Sequence, residues 1–117
     1  VLSYNQVAEA IEIEGRRIGQ LAEEIAECAN NAAEAEADHK IEVAKARVKY
    51  VNDRGAEGIK PTVSQTEDYA TLICAESLRN YLVAREALTA IREALRAAQA
   101  RLDGLRTLAA GYRQAGG

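Results

Sequence analysis

Phenylalanine, tryptophan and methionine are missing from this chain, and five tyrosines are its only aromatic residues. Sandwiches and barrels draw their strands from β-branched and aromatic residues, so this poverty excludes them. Proline occurs once, at Pro61, so the sequence enforces a single break in a helical path. Histidine also occurs once, at His39. The two cysteines, Cys28 and Cys74, lie too far apart to form a short-spaced metal or redox motif. They are expected to be thiols packed on apolar helical positions in a reducing cytoplasm. No run of about 20 apolar residues is present, so no helix is expected to span a membrane. No basic stretch precedes an apolar one at the start, so no signal peptide is expected.

Alanine, leucine, isoleucine and valine fill the apolar positions of the 117 residues instead, with 48% hydrophobic and 28% charged residues overall. That is a long-helix composition of one-domain size. Apolar residues recur at alternating steps of three and four. In the second half the series runs Cys74, Tyr81, Ala84, Leu88, Ile91, Leu95, Ala98, Leu102, Leu105, Ala109, Tyr112. From Tyr81 it is an unbroken heptad seam. In the first half, Ile18, Leu21, Ile25, Cys28, Ala32 and Ala35 make one seam. Ile41, Ala44, Val48 and Val51 make another, displaced by about two residues. A phase change or bend near residue 30 is therefore expected, inside the window 29–40, whose only apolar residues are alanines.

The connection is read from Gly55 and Pro61. Gly55 is expected to cap the first helix, Pro61 to stop it continuing, and Ser64-Gln65-Thr66-Glu67 to open the second with a capping box. The expected fold is a single all-α domain: a helix over about 4–52, a turn over 53–63, and a helix over about 64–113, paired as an antiparallel hairpin or coiled coil. Apolar residues off the seam, among them Leu72, Ile73, Val83 and Leu108, predict assembly into a homo-oligomer.

Charge is unevenly placed. Residues 9–38 hold nine acids and two bases, whereas residues 40–60 hold six bases and three acids. Lys40, Arg47 and Arg54 fall one heptad apart, with Lys45 and Lys49 between them and Tyr50 following at once. A second stripe, Arg85, Arg92, Arg106 and Arg113, shares one heptad register further on. Bases beside an aromatic ring suit a phosphate backbone and a stacked base. The same pattern also suits a coiled-coil flank whose bases meet acids on a neighbour. Glu36-Ala37-Asp38-His39 has the Glu-x-x-His spacing of di-iron bundles, but no second inward carboxylate matches it in depth, so no metal site is expected. No nucleophile–base arrangement and no phosphate-binding glycine loop is present, so neither catalysis nor a cofactor is expected.

Lys45-Ala46-Arg47-Val48-Lys49-Tyr50 followed by Arg54-Gly55 resembles the core of the UvsY-like family of phage recombination mediators. That resemblance implies a small oligomeric helical protein, working in the cytoplasm of a bacterial host cell. It implies binding of single-stranded DNA, and partnership with a RecA-like recombinase and a single-strand-binding protein. It also implies phosphate contacts by Lys45 and Arg47, with Tyr50 beside them; Lys40, Lys49 and Arg54 would extend the basic edge. The competing expectation is a structural or adaptor coiled coil without affinity for DNA.

Overall fold

The computed structural model describes residues 1–116 and is all-helical, with no strand among them. Helix α1 spans Tyr4–Ala56, α2 Val63–Ile73 and α3 Ala75–Ala115. Contacts gather into two compact units. One comprises Val1–Glu27 and the residues from Leu88 onward; the other comprises Cys28–Ala87.

Each helix end is set by local chemistry. Before α1, the Ser3 hydroxyl accepts from the Gln6 amide at 3.2 Å, and the Gln6 side chain accepts from the Ser3 amide at 2.8 Å. After α1, the Ile59 amide donates to the Arg54 carbonyl at 2.9 Å, and the Gly58 amide donates to the Gly55 carbonyl at 3.0 Å. These two bonds are the Schellman pattern, with Gly58 in the left-handed position at φ 76°. The cap is therefore Gly58 and not the expected Gly55, which lies within the last turn of α1.

Helix α2 opens at Thr62, directly behind Pro61. The Thr62 hydroxyl accepts from the Gln65 amide at 3.1 Å, and the Gln65 side chain accepts from the Thr62 amide at 3.0 Å. The capping box thus falls two residues before the expected Ser64–Glu67. The expected second helix is divided at Cys74, whose backbone (φ −97°, ψ 16°) leaves helical values for one residue. Its amide still donates to the Ala70 carbonyl at 2.9 Å, and its carbonyl still accepts from Leu78 at 3.0 Å.

In the unit Cys28–Ala87 the core is Ala46, Ala70 and Cys74, with Val43 and Tyr69 packed against it. Alanine at these positions lets helix backbones approach closely, so little apolar area holds each turn. In the other unit Val7, Leu21, Ala98, Leu102 and Ala109 are buried. Tyr4 and Tyr112 meet edge to face at 6.4 Å, and the Tyr112 hydroxyl donates to the Leu2 carbonyl. Glu14 and Arg101 pair at 3.1 Å.

Every residue of the expected seam on the second half, Cys74 to Tyr112, is buried or half-buried, as are Ile18 through Ala35. The expected seam of Ile41, Ala44, Val48 and Val51 is not: all four are exposed, Val48 at 60%. The inward residues are instead Ala32, Ala35, His39, Val43, Ala46 and Tyr50. The physical reason is aromatic pairing. Tyr50 stacks on Tyr69 at 4.6 Å, and His39 lies parallel to Tyr81 at 6.4 Å. Helix α1 continues without interruption through residues 29–40.

Replacing Gly58 by alanine forces a side chain into the left-handed region and should lower unfolding free energy by about 1 kcal/mol. Gly55→Ala, in helical backbone with open space around it, should raise it by roughly 0.5–1 kcal/mol. Urea melts followed by circular dichroism check both signs.

Candidate nucleic-acid interface

The six candidate contact residues of the α1 cluster fall in the final turns of that helix, inside the unit Cys28–Ala87. Lys40, Lys45, Arg47 and Lys49 are exposed; Tyr50 and Arg54 are half-buried. Most already hold an acid. Lys40 Nζ lies 2.9 Å from Glu36, Lys49 Nζ 2.7 Å from Asp53, and Arg54 3.2 Å from Glu57. Arg47 grips Glu67 of α2 with two nitrogens, at 2.8 and 2.9 Å. The hydrogen bonds to Glu36 and Asp53 hold the Lys40 and Lys49 ammonium groups above the usual lysine pKa, so both stay charged. Lys45 makes no ion pair among the described residues.

Tyr50 is committed within the chain. Its ring stacks on Tyr69 with a 12° interplanar angle, and the Arg54 guanidinium sits 5.3 Å from its centroid. A base could not stack on the face that Tyr69 covers.

Apart from Glu36, which precedes Lys40 by four residues, the acids that neutralise the cluster follow their bases along α1 and the turn or come from α2. Asp53 lies four residues after Lys49 and Glu57 three after Arg54, spacings at which helix neighbours meet. That signal is present in the sequence when bases are scanned forward as well as backward. Glu67 and Tyr69 carry no such signal, because they reach Arg47 and Tyr50 only once the chain has turned at Gly58–Pro61.

Arg85, Arg92, Arg106 and Arg113 on α3 are all exposed. Arg85 lies over the Tyr81 ring at 5.5 Å. Arg92, Arg106 and Arg113 hold no ion pair among the described residues. The structure places Arg85 in one unit and the other three in the second.

His39 Nδ1 lies 2.9 Å from the Ser77 hydroxyl, which itself donates to the Cys74 carbonyl at 3.0 Å. The hydroxyl proton being used there, His39 donates from Nδ1. Its Glu-x-x-His neighbour Glu36 faces Lys40 instead. No group of three side chains suited to a metal ion occurs among the described residues. Cys28 and Cys74 are free thiols, half-buried and buried. No described helix is long and apolar enough to cross a membrane.

The Tyr50–Tyr69 stack should show in a double-mutant cycle. Leucine substitutions at both positions should return a coupling of roughly 0.5–1.5 kcal/mol in urea melts. Strict additivity of the two single changes would mean the rings do not support each other.

No protein-family profile, curated protein or solved structure matches this chain.

Proposed function

We propose that this chain binds single-stranded DNA through the exposed basic edge at the end of α1, and serves as an accessory protein in phage or prophage recombination. It would work in the cytoplasm of the bacterial host as an antiparallel two-helix hairpin, assembled into a homo-oligomer. Its partners would be a RecA-like recombinase and the single-strand-binding protein that the recombinase must displace. The observation that carries this reading is the run Lys45–Arg54 itself: its family resemblance, joined to the exposure of Lys40, Lys45, Arg47 and Lys49.

The ion pairs within the cluster are compatible with such a role. The Arg47–Glu67 pair is about half exposed on both sides (47% each). Solvated pairs of this kind contribute little to stability, so a phosphate can replace the carboxylate without unfolding anything. Opposed partner positions support the hairpin. Tyr50 meets Tyr69 and His39 meets Ser77 in one unit; Tyr4 meets Tyr112 and Glu14 meets Arg101 in the other. Such binding is electrostatic, tolerant of sequence and steeply dependent on salt. Several copies on one strand would multiply a small number of contacts per chain.

A second reading is favoured by the bidentate Arg47–Glu67 pair and the Tyr50–Tyr69 stack. Those contacts are what a structural or adaptor coiled coil would use to fix its turn, with no nucleic acid involved.

Labelled oligo-dT separates the two. Under the first reading it binds at low salt, and its log affinity falls with log salt by about 0.7 per phosphate contact. Lys45→Ala/Arg47→Ala weakens it, and Glu67→Gln, which frees Arg47, strengthens it. Absence of binding at low salt leaves the adaptor reading, and equal binding by the double variant removes the end of α1 as the site. Binding that survives the double variant but is lost in Arg92→Ala/Arg106→Ala moves the site to α3.

A further inference from the structure

The aliphatic residues that turn away from the seam form a face of their own. Ala33, Ala37, Ile41, Ala44, Val48 and Val51 are all exposed, with Ile41 at 52% and Val48 at 60%. At 3.6 residues per turn they lie within about 80° of one another around the α1 axis. All six belong to the unit Cys28–Ala87, and no described residue covers them. We propose that this face of α1 pairs with the same face of a second copy, antiparallel and about a two-fold axis near residues 42–43. The proposal rests on the reading above of a self-assembling DNA-binding protein and names the surface through which it assembles.

Two observations single out a second copy. The first is shape. In that register Ile41 lies level with Ala44 of the other copy, Val48 with its Ala37, and Val51 within one residue of its Ala33. Each branched side chain thus meets an alanine, and two helices can close tightly.

The second is charge. One flank of the face carries Asp38 and Lys45, and neither has an ion-pair partner among the described residues. The two-fold brings Asp38 of each copy within about 3 Å, along the axis, of Lys45 of the other. Both orphaned charges are satisfied, twice over. The opposite flank carries Lys40, Arg47 and Arg54, each already holding an acid of its own chain, which tempers their mutual repulsion.

A consequence for DNA follows. Lys45, an exposed base of the same cluster, then supports DNA binding through assembly and not through a phosphate contact of its own, and the Lys40–Arg47–Arg54 stripes of two copies come to lie side by side on one edge. The phosphate path runs along that edge. Phosphates displacing Glu36, Glu67 and Glu57 would there find six cations where a single chain offers three.

The contact is a few helical turns long, well below the roughly 800 Å² per partner of a standard interface. The dimer should therefore be concentration-dependent.

Sedimentation equilibrium on the full chain tests the proposal, with circular dichroism confirming unchanged helicity. Wild type should dimerise at micromolar concentrations. Val48→Glu, Asp38→Lys and Lys45→Asp should each raise the dissociation constant by roughly tenfold or more, and the combined Asp38→Lys/Lys45→Asp chain should regain most of it. Arg47→Ala should leave the mass unchanged while weakening oligo-dT binding. A wild type that stays monomeric, or an association indifferent to Val48→Glu and to the charge swaps, overturns the interface. A dimer that behaves as described yet binds no oligo-dT upholds the interface and removes the DNA-binding reading alone.

Discussion

Packing of alanine at the inward positions of each unit is the constraint on which the rest of this molecule depends. Ala32, Ala46, Ala70, Ala98 and Ala109 are buried, and so small a side chain removes little apolar area from water. The remaining stabilisation must come from specific side-chain pairs placed at intervals. The Tyr50–Tyr69 and Tyr4–Tyr112 contacts and the His39–Ser77 hydrogen bond act as such fixings. A narrow seam also leaves most of each helix surface outside, so charge and the surplus aliphatic residues are displayed together.

That display gives the end of α1 its character. Bases flank an uncovered aliphatic face, and acids from α1, the turn and α2 hold several of them by exposed pairs. A neutralised cluster of this kind is not inert. Its pairs are solvated and exchangeable, so a ligand carrying many phosphates competes by numbers and not by the strength of any one contact. Pairing two such faces would concentrate the basic stripes along one edge and satisfy Lys45, which makes no ion pair among the described residues.

The helices were legible in the sequence because their seam is written in alternating steps of three and four. All of the residues from Cys74 to Tyr112 in that series are inward. The break around Pro61 was equally plain. Misread positions have identifiable causes. Ile41, Ala44, Val48 and Val51 imitate a seam because they are aliphatic and correctly spaced, yet the inward face belongs to His39, Val43, Ala46 and Tyr50. A polar ring is buried cheaply when another ring receives it, and that partner sits beyond the turn. Gly55 and Ser64 lost their expected roles to Gly58 and Thr62, both equally good by residue type. Only the backbone bonds choose between them. At the candidate site, bases and exposure were readable; Glu67 and Tyr69, which occupy Arg47 and Tyr50, were not, because they arrive through tertiary contact.

The central claim is that copies of this chain assemble and present their basic edges to one strand. Native mass spectrometry of the full chain mixed with a long oligo-dT at low salt tests it most directly. Complexes holding even numbers of chains per strand, dissociating to free DNA as salt is raised, are the expected result. Single chains beside unbound oligo-dT at every concentration would contradict it.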